Sequence, residues 1–140
     1  MADAVAAARD IVGAFNEADW GHYEALLADG AVYNEVGTGR ELRGAPEIIA
    51  ALKGWRTAMP DVKGTITNAL ADGDTAVLEI TWEGTQTGPM ESPDGTIPAS
   101  GKRQKTPSTW VLEIEDGKMK TSRHYFDMLS LLRQIGAMKG

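Results

Sequence analysis

The chain has 140 residues, enough for one globular domain spanning residues 1–140, and its composition of 42% hydrophobic and 24% charged residues is ordinary. It contains no cysteine, which excludes disulfides, zinc ribbons, iron–sulfur clusters and thiol nucleophiles. Acidic residues outnumber basic ones by 20 to 14, and the net charge of -6 argues against nucleic acid as a partner. No apolar run approaches the roughly 20 residues that cross a membrane. The N-terminal Met1-Ala2-Asp3-Ala4 lacks a basic region, so no secretion signal is predicted and the cytoplasm is the expected location.

The first part of the chain predicts three helices and one strand. Apolar residues at helical spacing indicate a first helix, and Asp19 can cap a short second helix. Residues 31–36 are typical of a strand, and a Gly37-Thr38-Gly39 turn follows them. A third helix has Pro46 in its first turn and ends at Met59-Pro60-Asp61.

The second part predicts strands and a closing helix. The strand-like segments are residues 63–70, 75–85, 109–115 and 119–126, and the helix covers 128–135. Asp72-Gly73 and Asp116-Gly117 indicate hairpin turns. The Gly- and Pro-rich stretch from Gly84 to Pro107 predicts a long hairpin tip, mobile enough to influence access to a pocket. Helices first and strands later indicate an α+β fold, with three helices over the concave face of a curved, mostly antiparallel, cone-shaped sheet.

The strong short motifs of catalysis and nucleotide binding do not occur in this sequence. His22 and His124 are far apart, neither has metal-ligand spacing, and no metal site is predicted. Ser122, His124 and Asp127 contain the atoms of a hydrolytic triad, but residues this close on one strand point in alternating directions. We therefore expect His124 to be packed or exposed rather than catalytic.

Asp127 is the first candidate for a catalytic residue, because it stands between a strand-like run and the apolar closing helix. An aspartate at such a junction is either the N-cap of the helix or a base at the rim or floor of the cone, with a pKa raised by apolar walls. Strand alternation puts Arg123 and Tyr125 on the face of Asp127, and His124 and Phe126 on the other. The catalytic interpretation predicts that Asp127 is largely buried and faces the cavity, with Tyr125 as a ligand-binding neighbour.

Four further residues are candidates for contact with a ligand. Asn34 lies within a strand, where an inward amide needs either a ligand carbonyl or a structural hydrogen bond as its partner. Trp55 and Trp82 are candidates for the pocket lining. Glu113 is expected at the surface, but if it faced inward it would crowd Asp127 and raise a carboxyl pKa.

Several short motifs, in this order and spacing, resemble the SnoaL-like polyketide cyclases. They are Leu42-Arg43-Gly44, Ala58-Met59-Pro60-Asp61, the run from Trp82 to Gly88, Asp116-Gly117-Lys118-Met119, Tyr125-Phe126-Asp127 and the run from Leu131 to Gly136. These matches extend from about residue 30 to the end of the chain. The family has the nuclear transport factor 2-like cone fold, which ketosteroid isomerase, scytalone dehydratase and limonene epoxide hydrolase share.

The resemblance implies acid/base chemistry at a carbon beside a carbonyl. In these cyclases an aspartate that ends the last strand, matching Asp127, removes a proton from a polyketide methyl ester, and the enolate closes a ring by intramolecular aldol attack. An asparagine matching Asn34 lies in the same pocket, whereas the cyclases' histidine falls near Glu113, where this chain departs from the family. The epoxide hydrolases need an arginine and an aspartate two residues apart; Val111 and Glu113 occupy that region here and argue against epoxide opening.

These observations together predict a cyclase or isomerase that uses lyase-type aldol chemistry on a small, hydrophobic, carbonyl-containing ligand, with Asp127 as the base. No cofactor is expected, since a base and pocket dipoles can stabilise an enolate. A non-catalytic ligand-binding module of the same fold is an alternative, and so is a structural dimerisation domain whose cone is filled with side chains. A homodimer is expected from the family alone.

Overall fold

The computed structural model describes residues 3–92 and 94–138, and in these residues it has four helices and eight strands. The helices are α1 (Ala4–Asn16), α2 (Trp20–Ala25), α3 (Gly44–Ala58) and α4 (Met128–Gln134). The strands are β1 (Leu27–Glu35), β2 (Arg40–Arg43), β3 (Lys63–Asp72), β4 (Thr75–Thr85), β5 (Met90–Ser92), β6 (Gly95–Ile97), β7 (Arg103–Glu115) and β8 (Lys118–Phe126). Met1 and Ala2 of the N-terminal segment, and Pro93 of the Gly- and Pro-rich stretch, lie outside the described residues. No helix in the described ranges combines the length and apolarity needed to cross a membrane.

The main sheet is a curved, mixed sheet with the strand order β2-β1-β8-β7-β4-β3. Adjacent strands in this sheet are antiparallel, except that β1 and β8 are parallel to each other. The pairing register shifts between Ile66 and Asn68 on β3 and between Glu113 and Ile114 on β7, and such irregularities bend the strands. β5 and β6 pair with each other in a separate two-stranded sheet. The predicted α+β fold, with three helices in the first part of the chain and a curved, mostly antiparallel sheet, is confirmed.

Local sequence signals account for several of these boundaries. The Asp3 carboxylate accepts a hydrogen bond from the Val5 backbone N–H and caps α1. Asp19 caps α2 as predicted, through the backbone N–H of His22. At the β7–β8 turn, Asp116 and Gly117 both have positive φ angles, of 53° and 75°, as a two-residue turn of the hairpin type requires.

The core lies between the helices and one face of the main sheet. Every second residue of β7 from Gln104 to Ile114 is buried, which defines the inner face of the sheet by strand alternation. Ile11 of α1, Ile48 of α3 and Leu78 of β4 are fully buried between these layers. The sequence does not predict β2, whose residues Arg40–Arg43 pair with the end of β1 directly after the glycine turn.

The Gly- and Pro-rich stretch contains more strand than the sequence predicts. Thr85 pairs with Arg103, so β4 and β7 extend toward each other and residues 86–102 form the excursion between them. The prediction of a tip from Gly84 to Pro107 is therefore too long, because Gln104 and its alternate neighbours give β7 a buried face in that range. An influence of the excursion on access to the cavity stays a prediction.

This excursion, residues 86–102, is anchored to the end of α3 at Gly88. The Gly88 N–H donates to the Ala58 carbonyl at 3.1 Å. A Cβ atom at position 88 would lie 2.1 Å from the carbonyl oxygen of Thr57, which belongs to the backbone and cannot rotate away. The close approach of the two segments thus requires glycine.

We expect Gly88→Ala to lower the free energy of unfolding by about 1–3 kcal/mol, the usual cost of forcing an extra methyl group into a packed contact. Gly54→Ala is the matched control, because Gly54 is exposed within α3 and nothing lies within 4 Å of its added Cβ. That control should raise the free energy of unfolding by about 0.5–1 kcal/mol. Urea denaturation measures both values; a Gly88→Ala variant as stable as the starting protein would contradict the anchoring.

Candidate functional site

A cavity of about 60 Å³ lies between the inner face of the main sheet and the helices. Aromatic rings supply much of its wall: Phe15, Trp55, Trp82, Trp110 and Phe126. Trp55, Trp82 and Phe126 are partly exposed, so they mark the side on which the cavity approaches solvent. Sites for drug-sized ligands measure roughly 300–1,000 Å³, so a ligand of that size requires some of these rings to move.

A buried carboxylate stands in the cavity wall at the end of β1. Glu35 is 1% exposed and its Oε1 accepts hydrogen bonds from Thr38 Oγ1 at 2.5 Å and Arg40 Nε at 2.8 Å. A second guanidinium nitrogen of Arg40 lies 2.6 Å from the same oxygen. Glu35 Oε2 accepts from Trp55 Nε1 of α3 at 2.8 Å. These donors offset the cost of burying a charge, and they leave Oε2 with spare accepting capacity beside the cavity.

A second buried polar group is centred on His124 of β8. Its Nδ1 lies 2.6 Å from the Tyr33 hydroxyl, while its Nε2 lies 2.9 Å from Ser108 Oγ and 3.2 Å from Trp82 Nε1. The imidazole also stacks on Trp110, with ring centroids 5.1 Å apart. Burial lowers the pKa of His124 to about 3, so the ring is neutral at neutral pH.

Two more polar side chains of the wall differ in how well they are partnered. Burial raises the pKa of the Tyr33 phenol well above its usual value, so the phenol stays protonated. Gln104 of β7 accepts a hydrogen bond from Thr106 Oγ1 at 2.7 Å, and its Nε2 lies 3.4 Å from Met59 Sδ. Sulfur is a weak acceptor, so this buried amide keeps the capacity to donate to a ligand.

Asp127 does not line the cavity. It is exposed and N-caps α4, with its carboxylate accepting a hydrogen bond from the Ser130 backbone N–H at 3.0 Å. The predicted burial of Asp127 is therefore wrong, and the N-cap alternative describes its position. The reason is that the chain leaves β8 at Phe126 and turns directly into α4, so the junction side chain is used to satisfy the free N–H groups of the helix.

Asn34, Glu113 and Tyr125 lie on the outer face of the main sheet. Asn34 alternates with the inward residues of β1, and Tyr125 is 44% exposed. Glu113 accepts hydrogen bonds from Thr75 Oγ1 at 2.7 Å and from Arg123 at 3.2 Å, which lower its carboxyl pKa rather than raise it. The expectation that Asn34 and Tyr125 share a pocket with Asp127 is wrong because the opposite phase of each strand faces the core. Glu113 lies on the outer face as expected, so it is not a ligand-binding residue of the cavity, and the alternative in which it faces inward and crowds Asp127 does not hold.

Trp55 and Trp82 are in the cavity wall, and each uses its indole N–H within the site. Their contact with a ligand stays a prediction. The structure brings them together with Glu35, Tyr33 and His124, which the sequence does not predict as site residues.

The alternation of side chains along β8 could have predicted these residues from the sequence. Arg123 is charged and favours solvent, so its face, which includes Tyr125, is the outer one and His124 belongs to the inner face. Glu35 pairs in register with His124 on the neighbouring parallel strand. Once His124 is assigned to the inner face of β8, Glu35 is therefore assigned to the inner face of β1. On β1 itself both faces carry apolar residues, and alternation alone does not distinguish them.

The N-cap role of Asp127 predicts a difference between two substitutions. Asp127→Ala should lower the free energy of unfolding by about 0.5–2 kcal/mol, whereas Asp127→Asn should leave it nearly unchanged because asparagine caps a helix as well as aspartate does. Urea denaturation of both variants measures this. Equal stability losses in the two variants would contradict a capping role.

The buried His124 predicts a pH dependence of stability. Between its lowered pKa of about 3 and the ordinary value of 6.5, only the unfolded chain takes up a proton at this ring. The free energy of unfolding should therefore fall as the pH drops below 6.5, on the order of 1 kcal/mol per pH unit. We expect His124→Gln to remove most of this slope between about pH 6 and pH 5, above the range in which carboxyl groups titrate.

Both proteins should carry His22→Gln in that measurement. Asp10 raises the pKa of the exposed His22, so its contribution is present at low pH and is lost as the pH rises through that pKa, opposite in sign to that of His124. An unchanged slope in His124→Gln would show that the ring does not resist protonation in the folded state.

The chain matches the family model described as SnoaL-like polyketide cyclase over residues 4–135. No curated protein matches it significantly. Among solved structures, TsrD from Streptomyces laurentii is 30% identical, with a TM-score of 0.80 over 94% of this chain and 93% of that chain. An LEH-like epoxide hydrolase from M. tuberculosis is 23% identical, with a TM-score of 0.72 over 94% of this chain and 88% of that chain.

A protein from Catenulispora acidiphila with a ketosteroid isomerase-like fold, solved in complex with trimethylamine, is 18% identical, with a TM-score of 0.80 over 94% of this chain and 93% of that chain. These likenesses show the nuclear transport factor 2 and ketosteroid isomerase-like fold that the sequence motifs imply. Since the family model spans nearly all of the described residues, the chain belongs to the SnoaL-like polyketide cyclase family.

Proposed function

We propose that the protein is a small-molecule acid/base enzyme that removes a proton from a carbon next to a carbonyl group. Glu35 is the base and Tyr33 donates to the enolate oxygen. The observation that carries this proposal is that a buried carboxylate and a buried phenol line one aromatic-walled cavity. Membership of a family named for cyclases supports the same class of chemistry.

The hydrogen bonds of Glu35 suit the role of a base with a fixed position. Oε1 accepts from Thr38 in the turn after β1 and from Arg40 at the start of β2, and these two donors orient the carboxylate. Oε2 accepts only from Trp55 among the described residues, and its second lone pair is available for a substrate proton. A base that is fixed before the substrate arrives needs no reorganisation during the reaction.

Tyr33 suits the role of an electrophilic donor. It lies two residues before Glu35 on the same face of β1, so both side chains reach the same cavity. Its phenol stays protonated because burial raises its pKa well above the usual value. A hydroxyl donor in an apolar cavity stabilises an oxyanion more than the same donor does in water.

The reaction then runs without any further group. Glu35 takes a proton from the carbon beside the substrate carbonyl, and the electron pair moves onto the carbonyl oxygen, which accepts a hydrogen bond from Tyr33. The enolate carbon then attacks a second carbonyl of the same molecule, which closes a ring, and the alkoxide that forms takes the proton back from Glu35. In a β,γ-unsaturated substrate the dienolate instead takes that proton back at its γ-carbon, which isomerises the substrate. The aromatic walls exclude water from both steps.

Asp127, the base implied by the family resemblance, is exposed and occupied in capping α4. An exposed carboxylate outside the cavity is poorly placed to reach a substrate that binds inside it. We therefore keep the reaction class that the sequence predicts and assign the base to Glu35.

A non-catalytic ligand-binding module is the second candidate. Two observations favour it: the ion pair of Glu35 with Arg40, which gives the carboxylate a structural partner, and the cavity volume of about 60 Å³. In that role Glu35 would only hold the turn after β1 and Trp55 in place. Turnover separates the two candidates, since both predict binding.

We expect the protein to exchange the α-hydrogens of small cyclic ketones or 1,3-diketones for deuterium in D₂O, followed by proton NMR. Glu35→Gln should reduce this exchange by roughly 100- to 10,000-fold, the contribution of a general base. The amide keeps the size of the side chain and can still accept from the Trp55 indole.

Glu41→Gln is the matched control, because Glu41 is an exposed carboxylate on the adjacent β2 and pairs with Arg43 at the surface. It should exchange the same ketones at the rate of the starting protein. Exchange that survives in Glu35→Gln would contradict the base assignment. Ketones that bind, by NMR shift perturbation, without exchanging would favour the binding module.

A further inference from the structure

A chain of buried hydrogen bonds links Trp82 to Tyr33 through His124. Trp82 Nε1 lies 2.9 Å from Ser108 Oγ and 3.2 Å from His124 Nε2, and the His124 Nδ1 on the other side of the ring lies 2.6 Å from the Tyr33 hydroxyl. Ser108 Oγ lies 3.2 Å from the Ile80 carbonyl as well as 2.9 Å from His124 Nε2. These contacts decide which ring nitrogen carries the single proton of the neutral imidazole.

The indole N–H is a donor and cannot accept, and its hydrogen is directed at both Ser108 Oγ and His124 Nε2. A proton on Nε2 could be accepted by Ser108 Oγ at 2.9 Å, but it would also face the indole hydrogen across 3.2 Å, where two donors oppose each other. A lone pair on Nε2 satisfies the contact, and the Ser108 hydroxyl can then donate either to it or to the Ile80 carbonyl. The contact of the Trp82 indole N–H with Nε2 therefore favours a lone pair on Nε2 and the proton of His124 on Nδ1.

This tautomer determines what the Tyr33 hydroxyl can do. With the proton on Nδ1, His124 donates to Tyr33 Oη, and the phenol keeps its own hydrogen for another acceptor. With the proton on Nε2, the phenol would donate to His124 instead and have no hydrogen left for a ligand. Within the described residues, His124 is the one hydrogen-bond partner of the Tyr33 hydroxyl, so a molecule bound in the cavity can supply the remaining acceptor.

We propose that His124 is a positioning residue, fixed by the Trp82 indole, that commits the Tyr33 hydroxyl to donate to an oxyanion or carbonyl oxygen bound in the cavity. This inference rests on the proposed function for the identity of the bound oxygen, but the tautomer of His124 can be measured without any substrate. His124 acts here through Tyr33 and does not itself touch the reacting atoms.

Nitrogen-15 NMR of the histidine rings tests the tautomer directly. The chain has two histidines, and His22→Gln leaves only the signals of His124. We expect a protonated Nδ1 and an unprotonated Nε2, unchanged from about pH 8 to about pH 5 because the ring does not titrate there. A protonated Nε2 would overturn the inference.

Two tryptophan substitutions provide a matched pair around the same ring. Trp82→Phe removes the indole donor to Nε2 and should weaken the preference for the Nδ1-protonated tautomer, so that the Nε2-protonated form becomes detectable. Trp110→Phe is the control, because Trp110 stacks on His124 and its Nε1 has no hydrogen-bond partner among the described residues. The control should keep the proton on Nδ1; an identical response in both variants would attribute the tautomer to packing and overturn the role of Trp82.

The donor role of Tyr33 is tested by the binding of 4-nitrophenol, whose phenolate form is an oxyanion that absorbs visible light. Binding is measured in the Glu35→Gln background, since the amide stands for the carboxyl group after it has taken the proton. Tyr33→Phe should weaken phenolate binding by roughly 10- to 100-fold, and Trp82→Phe by about three- to tenfold. Undiminished phenolate binding in Tyr33→Phe would overturn the inference.

These measurements separate the inference from the proposed function. If ketone exchange fails in the starting protein while the tautomer and phenolate results hold, the base chemistry is wrong and the positioning of Tyr33 stands. If exchange depends on Glu35 but the proton lies on Nε2, Glu35 stands as the base, whereas the positioning role of His124 and the donor role of Tyr33 fall. Should the substituted proteins not fold, the NMR spectrum of His22→Gln alone still decides the tautomer.

Discussion

The carboxylate of Glu35 is buried in the wall of an aromatic cavity, and hydrogen-bond donors from two separate parts of the chain stabilise its charge. Thr38 and Arg40 come from the turn after β1 and the start of β2, and Trp55 comes from the last turn of α3. An unpaired carboxylate in such a place would cost several kcal/mol, so the turn, the helix register and the cavity wall depend on one another. The same arrangement leaves one carboxylate oxygen committed to the fold and the other beside the cavity, which separates the structural task of Glu35 from its proposed chemical one.

Burial favours the neutral form of the other titratable residues that line this cavity, namely His124 and the phenols Tyr23 and Tyr33. It lowers the pKa of His124 and raises that of Tyr33, so at neutral pH the cavity presents a neutral imidazole and a protonated phenol. Neither group is then a base, and the carboxylate is the one charged lining group among the described residues. The polar side chains of the cavity include an acceptor, Glu35, and the donors Tyr33 and Gln104, beside the hydroxyl groups of Tyr23 and Thr106. An acceptor and donors in one cavity match a substrate with an acidic C–H and a carbonyl oxygen.

Most of the fold could be predicted from the sequence because its signals are local. Caps such as Asp19, turns such as Asp116-Gly117 and alternating strands are each set by a few neighbouring residues, and the order of elements then indicated the α+β class. Strands β2 and the first part of β7 were missed because their pairing is decided by the partner strand rather than by composition.

The site could not be predicted to the same degree, because it depends on which face of β1 and β8 is buried. If the buried face of each strand is assigned one residue out of step, Asn34 replaces Glu35 and Tyr125 replaces His124 in the predicted site. On β1 the sequence does not prevent this error, because both faces carry apolar residues. The strand–helix junction, and then the family motif, drew attention to Asp127, where an N-cap and a catalytic base have the same sequence signature. Trp55 and Trp82 were found because large aromatic residues in a small domain are buried in whichever layer they occur.

A crystal structure of the Glu35→Gln variant with 4-nitrophenol tests the central claim most directly, namely that the cavity binds an oxyanion between Tyr33 and position 35. The account predicts the phenolate oxygen within about 2.5–2.9 Å of Tyr33 Oη, with the nitrophenyl ring inside the aromatic wall and facing the side chain at position 35. It also predicts that His124 keeps its contact with Tyr33 in the complex. A nitrophenol bound on the outer face of the sheet, or with its oxygen turned toward Asp127 and away from Tyr33, would contradict the account.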